Sequence, residues 1–305
     1  MRPFYSVAVQ PFLTVASANG HTTAVSLADA FEQATNLNLA DPSPLARAAT
    51  LRFLLAIAYH TGLAPTTIDE YHHNIQNCHA INWQHTAAWL RDNPDLFDLF
   101  HPTQPLWQDA ALQAIADNPK APITSLYLDF TAAHNRPLHS DHHGYIHSLT
   151  MHSPPELARL MLMQNTWAVG GRISASAALY GTGANYGYAA AHTGSFLWMP
   201  QHPTLAQDLA WRMHPTEHTG TPHWTYTHRG QPTKQGLTPT GEADALHWLS
   251  RRMLALPNSD GTTSHILFAQ GWNRALDPAA KPGPPTIDPT QPGLCLLYTS
   301  DAADE

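Results

Sequence analysis

The strongest pattern in the chain is an apolar stripe over residues 43–61. Leu45, Ala48, Ala49, Leu51, Leu55 and Ala58 recur at helical spacing, with further apolar residues between them. Ser43 stands where an N-cap belongs, Pro44 falls in the first turn, and Gly62 can end the helix. A stripe this wide leaves little polar face, so it predicts a helix buried on most sides. A second helix is predicted over 153–169. Ser153-Pro154-Pro155-Glu156 has capping-box spacing, Leu157, Leu160, Met161 and Gln164 share one face, and Gly170-Gly171 supply a stop.

Shorter signals fill the rest. Phe4 to Val9 and Phe12-Leu13-Thr14-Val15 read as strands, with Gly20 in a turn before Val25, so two short strands or a hairpin fit. Leu27 to Thr35 reads as a helix. Residues 67–100 are helical in pieces divided at Pro94, and Pro102 and Pro105 enclose a turn before Leu106-Trp107-Gln108. Ile123 to Phe130 alternates weakly, as a strand would. Residues 131–150 are polar, rich in His and loop-like. Residues 204–213 predict a helix, and 242–256 a helix or a strand pair around Trp248. Six Pro between 277 and 293 predict an extended segment. Helices and strands are interspersed without a regular alternation, which is an α+β pattern.

Composition narrows the function classes. The 305 residues are 43% apolar, enough for a substantial core, and only 12% charged. The net charge of −8 argues against a protein that coats nucleic acid by bulk charge, while leaving room for a few local phosphate contacts. No run of 18 uncharged apolar residues occurs, so no membrane span is expected. Met1-Arg2-Pro3-Phe4-Tyr5 carries no apolar signal core, so a cytoplasmic location is expected. Cys78 and Cys295 are too few for a disulfide scaffold or a Cys-rich zinc site.

Several groups could carry chemistry. His214-Pro-Thr-Glu217-His218 has the H-x-x-E-H spacing of an inverted zincin, which needs both His on one helical face. Thr219-Gly220-Thr221-Pro222 gives such a helix no length. His139, Asp141, His142, His143 and His147 form a denser cluster, suited either to a metal or to a solvated loop. With 21 His in the chain, chance clusters are expected. Gly181, Gly183 and Gly187 miss the dinucleotide-binding spacing, and no P-loop or Gly-x-Ser-x-Gly elbow occurs. Residues 173–207 contain no Asp, Glu, Lys or Arg, and six of the 17 Gly fall between Gly170 and Gly194. Such a stretch permits close backbone approach.

The order of several segments goes further. It runs through Gln10-Pro11-Phe12-Leu13-Thr14-Val15, Ser26-Leu27-Ala28-Asp29-Ala30-Phe31 and Leu51-Arg52-Phe53-Leu54-Leu55-Ala56-Ile57-Ala58. It continues with Trp89-Leu90, Phe97-Asp98-Leu99-Phe100-His101-Pro102, Pro105-Leu106-Trp107-Gln108-Asp109 and Gln164-Asn165-Thr166-Trp167-Ala168-Val169-Gly170-Gly171-Arg172. Over about residues 6–275 this order resembles the CasA family, the large subunit of the type I-E CRISPR surveillance complex, Cascade. The resemblance implies a large mixed α/β N-terminal body over residues 1–276, with the family's C-terminal four-helix bundle missing from this chain.

It also implies a subunit with no catalysis and no cofactor of its own. Its partners would be the other Cascade subunits, the crRNA, target double-stranded DNA and a helicase-nuclease. The family recognises the protospacer-adjacent motif (PAM) of the target and helps open the duplex. Two PAM-side loops carry over residue by residue. One falls on Arg136, Pro137, Leu138 and His139, the other on Gly170, Gly171 and Arg172. Arg136 and Arg172 would meet phosphate or a narrow groove. Gly170-Gly171 also fit a plain helix C-cap, and Arg136 and His139 a solvated loop. The Cys pairs that some relatives use for zinc are absent, so no metal is expected. The rival from another class is a His-rich metal-dependent hydrolase.

The last residues look foreign. Cys295-Leu296-Leu297-Tyr298-Thr299-Ser300-Asp301-Ala302-Ala303-Asp304-Glu305 resembles a sequencing-adapter translation, leaving 277–294 as the Pro-rich end of the natural segment. Without it the chain has 20 acidic and 15 basic residues, net −5. Deleting 295–305 is expected to leave the melting temperature unchanged. A drop of several degrees in a thermal melt would show that the tail packs on the core.

Overall fold

A computed structural model describes residues 2–116, 120–128, 151–173, 186–187, 189–190, 193, 199–225 and 236–274. The stripe over 43–61 folds as α2 (Pro44–His60), after the N-terminal elements β1 (Leu13–Ser17), β2 (Thr22–Val25), α1 (Leu27–Glu32) and β3 (Leu37–Leu39). Ser43 Oγ accepts the amide of Ala46 at the start of α2, and Gly62 takes φ +78° just past its end. A left-handed residue after the last turn suits glycine, which has no Cβ to clash. Twelve of its side chains are buried, from Ala46 to Tyr59, so the helix has almost no outer face.

The remaining helices are arranged around it. Among the described residues they are α3 (Ile68–Gln76), α4 (Trp83–Asp92), α5 (Pro154–Trp167), α6 (Leu205–Arg212) and α7 (Glu242–Leu246). α2 packs against α5, α6 and α7, while α1 packs on α4 and α3 on α6. The Phe53 ring is the centre of an aromatic cluster. It meets Trp107 edge-on at 5.0 Å, Trp224 at 5.5 Å and His247 at 4.6 Å, and Phe97 lies 5.6 Å from Trp224. Such tilted and edge-on pairs suit the ring quadrupole and add to burial.

Among the described residues, two three-stranded antiparallel sheets accompany the helices. One has the order β2-β1-β3, with Leu13 opposite Val25 and Val15 opposite Leu39. The other comprises β4 (Ala121–Pro122), β8 (Thr263–Gln270) and β7 (Arg251–Pro257), in that order. β7 and β8 form a hairpin, with Arg251 opposite Gln270. α5 is joined to this hairpin at both ends. His152 exchanges backbone hydrogen bonds with Thr263 beside its start, and Asn165 Oδ1 accepts the Arg251 amide near its end. A 14-residue helix and a seven-residue strand both span roughly 20 Å, so the two lie in step.

The mixed helix-and-strand body agrees with the α+β expectation, and three local readings are corrected. Phe4 to Val9 forms no strand. Ser6 makes one isolated bridge to Asp98, and Val9 and Gln10 donate back to the Ser6 carbonyl in a turn. The turn wins because the buried Asp98 carboxylate takes the Tyr5 amide, and Phe97 takes that of Val7. Residues 123–126 form a 3-10 turn rather than a strand, since the Pro122 ring leaves no amide for a ladder and only Ala121–Pro122 pairs with β8. Over 242–256 the chain supplies a short helix and then β7, in place of one element type. The segments 131–150, 277–294 and 295–305 lie outside the described residues.

Leu51 and Leu55 are 4% and 5% exposed, as the stripe predicts. Leu55→Ala is expected to cost about 2–5 kcal/mol in chemical denaturation, the usual range for a core leucine leaving a cavity. A loss below about 0.5 kcal/mol would place this face of α2 at the surface.

Candidate functional site

The site builds from the C-terminal end of α5. Pro154 and Pro155 begin that helix, and the Glu156 carboxylate accepts both the amide and the hydroxyl of Ser153. This reciprocal cap satisfies donors that a helix start otherwise leaves open. At the far end, side chains tie the last turn to four other segments. Gln164 Nε2 donates to the Ser125 carbonyl, Asn165 Nδ2 to that of Trp107 and Trp167 Nε1 to that of Leu45. Asn165 Oδ1 takes the Arg251 amide at 3.1 Å.

The helix ends at Trp167, with Ala168 as its C-cap at φ −51° and ψ 129°. This corrects the expected stop at Gly170-Gly171. Neither glycine has positive φ, so the αL cap conformation does not explain them. The Ala168 carbonyl accepts the Ala190 amide and the Thr193 hydroxyl, which turns the chain outward two residues before the glycines. The Val169 carbonyl accepts Arg251 Nη2 at 2.5 Å, while the Val169 side chain is 67% exposed. Gly171–Arg172 (β5) then pairs antiparallel with Tyr186–Gly187 (β6).

A Cβ placed on Gly171 would meet nothing within 4 Å among the described residues. Among the described residues, neither backbone strain nor packing demands glycine there. Val169 is exposed and the two glycines are half-buried, and the segment is carried on a clamped helix. Of the residues expected at the site, Gly170, Gly171 and Arg172 fall on this segment. Arg136, Pro137, Leu138 and His139 lie outside the described residues, as does the His139–His147 cluster.

The H-x-x-E-H reading is not supported. Residues 213–222 are non-helical, and Glu217 and His218 are exposed. His214 Nε2 faces Glu242 Oε1 at 3.4 Å, and its Nδ1 lies 3.1 Å from the Tyr59 hydroxyl. Among the described residues, no group of three or more His, Cys, Asp or Glu is placed to hold a metal ion.

The family model for the CRISPR-associated protein Cse1 matches residues 8–291. The chain belongs to that family. No curated protein sequence gives a significant match. Among solved structures, this Cse1-family chain is similar to Cse1 from Thermobifida fusca, with 21% identity and a TM-score of 0.68. That likeness covers 90% of this chain and 53% of the other. It is also similar to Cse1 from Acidimicrobium ferrooxidans, with 21% identity and a TM-score of 0.71, covering 92% and 53%. A chain of a CRISPR RNA-guided surveillance complex matches at 21% identity and a TM-score of 0.72, covering 90% and 58%. At these identities the likeness establishes the fold. The Cse1-family chain spans about half the length of these solved relatives. The sequence order pointed to the family, but not to Asn165 and Arg251 as the supports of the glycine segment. Only the nine-residue run Gln164–Arg172, quoted for the resemblance, hinted that Asn165 mattered.

The His214–Glu242 pair yields a pH prediction. Hydrogen bonding to Glu242 raises the His214 imidazole above its ordinary value of 6.5, against the opposing effect of burial. The same contact holds the Glu242 carboxyl below its ordinary 4.5. The raised His contributes stability that is fully present below 6.5 and lost as pH climbs through its folded value. The lowered Glu contributes stability that is present above 4.5 and lost as pH falls through its folded value. The pair therefore helps most between those two ordinary values. His214→Gln is expected to lower the melting temperature more at mildly acidic than at mildly alkaline pH. Equal losses at both would show that the pair does not titrate with folding.

Proposed function

We propose that this chain is the DNA-facing body of a non-catalytic Cascade subunit. In this reading it recognises the PAM of double-stranded target DNA, aids duplex opening and helps recruit the helicase-nuclease. It works with the other Cascade subunits and the crRNA in the cytoplasm. The observation that carries the reading is the half-buried Gly170–Gly171 segment, with open space at the Gly171 Cβ position, following a helix end fixed by Asn165, Trp167 and Arg251. Glycine backbone with no Cβ in the way can approach a groove floor more closely than a side-chain surface. The minor groove distinguishes mainly A·T from G·C, so a short, permissive motif suits such a reader. The stretch 173–207 carries no acidic residue that would repel phosphate. Arg172 and the Arg136–His139 loop join the same surface on the strength of the family resemblance.

The test needs the whole protein assembled into its surveillance complex. Gly171→Asp adds bulk and a negative charge to an open position, so it opposes DNA without crowding the core. It is expected to weaken binding to motif-bearing duplex about tenfold, near 1.4 kcal/mol. Binding to single-stranded target, which needs only guide pairing, should stay unchanged. Arg136→Ala should lower the salt slope of duplex binding by about one if it meets a phosphate. Equal losses on single- and double-stranded targets would mean that these residues serve the fold, and the motif-reading assignment would fall.

A further inference from the structure

Arg251 is an unusual residue for the interior, since a guanidinium is costly to bury unless its donors are satisfied. It is 2% exposed at the first position of β7. Its Nη1 donates to the Ser250 carbonyl at 2.7 Å, and its Nη2 reaches the Val169 carbonyl at 2.5 Å. Its backbone amide is held by Asn165 Oδ1. The peptide that carries it is also packed closely against Gly271. A Cβ on Gly271 would lie 2.3 Å from the Ser250 carbonyl carbon and 2.4 Å from the Arg251 nitrogen. The backbones touch there, so any larger residue would displace the Ser250–Arg251 peptide.

These contacts form one chain of support. Gly271 sets the peptide, Asn165 sets the Arg251 amide, and the guanidinium fork bridges Ser250 to the carbonyl beside Gly170. We propose that Arg251 is a positioning residue that pre-orders the Val169–Arg172 segment for duplex DNA. The inference rests on the reading of that segment as the DNA-facing element. Val169 is largely exposed, so its own side chain cannot anchor the backbone. The carbonyl bond anchors the start of the segment, as pairing with Tyr186–Gly187 holds its end, and a segment ordered before binding loses less conformational freedom on contact with DNA. Two arms of one planar fork are needed to hold both carbonyls at once. A lysine keeps the charge but offers a single point donor, so it cannot reproduce the bridge.

Arg251→Lys and Arg251→Met would be compared with Gly171→Asp in the whole protein, assembled into its surveillance complex. Amide exchange over residues 168–173 and binding to double- and single-stranded targets would be measured. For Arg251→Lys the expected result is faster exchange over 168–173 and about tenfold weaker duplex binding. Single-stranded binding and the thermal melt should be nearly unchanged. Arg251→Met should show the same contrast more strongly, and if it does not fold, Arg251→Lys decides alone. If Gly171→Asp discriminates duplex from single strand but Arg251→Lys does not, the positioning role is overturned and the site reading stands. If Gly171→Asp itself fails to discriminate, the site reading falls and the inference with it. Unchanged exchange over 168–173 in Arg251→Lys would also overturn the role.

Discussion

The burial of α2 on nearly every side is the constraint from which the rest of the fold follows. A helix with this many buried side chains must be covered by several elements at once, and α5, α6 and α7 do this. Phe53 shows how tightly the cover is set. Its ring sits among Trp107, Trp224 and His247, which come from three distant parts of the chain. Trp107 adopts φ +60°, a conformation that a bulky residue avoids and that costs on the order of 1–3 kcal/mol. Its fully buried ring holds it there. The adjoining Gln108 helps, because its amide spans from the Leu99 carbonyl to the Ala255 amide.

That cover determines where α5 lies, and α5 in turn places the candidate site. The helix is bonded near its start to β8 and near its end to β7, so it acts as a strut along the hairpin. Whatever follows Trp167 therefore emerges at a fixed point. The local sequence then leaves the helix early, through Ala168, and presents Val169 and the two glycines beyond the last clamped turn. Among the described residues, the groups that meet there are backbone carbonyls and the buried Arg251 guanidinium that binds the Val169 carbonyl.

Arg252, next to Arg251, shows that buried cations recur along β7. It pairs with Asp109 Oδ2 at 2.5 Å and lies over the Trp272 ring at 5.5 Å. Asp109 also donates its amide to the Met253 carbonyl and caps the 3-10 turn that follows it. Two adjacent arginines thus tie the hairpin to the segment after Trp107 and to the end of α5. Removing either partner of such a buried pair leaves a charge without compensation, which is more damaging than never having had the pair.

Local signals were legible wherever a short run of residues sufficed. The α2 stripe with Ser43 and Gly62, the Ser153–Glu156 box and the turn at Gly20 each carry their own instructions, because caps and left-handed turns act within four or five residues. The ordered family segments and the Gly170–Gly171 pair were also visible in the sequence alone. The places where the reading failed are those where a distant partner outbid the local pattern. Phe4 to Val9 has strand-like residues, yet Phe97 and Asp98, some ninety positions away, take its amides. The end of α5 was read two residues late, because Ala190 and Thr193 claim the Ala168 carbonyl. Nothing near Gly170 in sequence points to Arg251 or Gly271. Those residues reach the segment only when the hairpin closes against α5, so the sequence alone indicated where the glycine pair lies, and the tertiary structure decided what bonds to the carbonyl beside it.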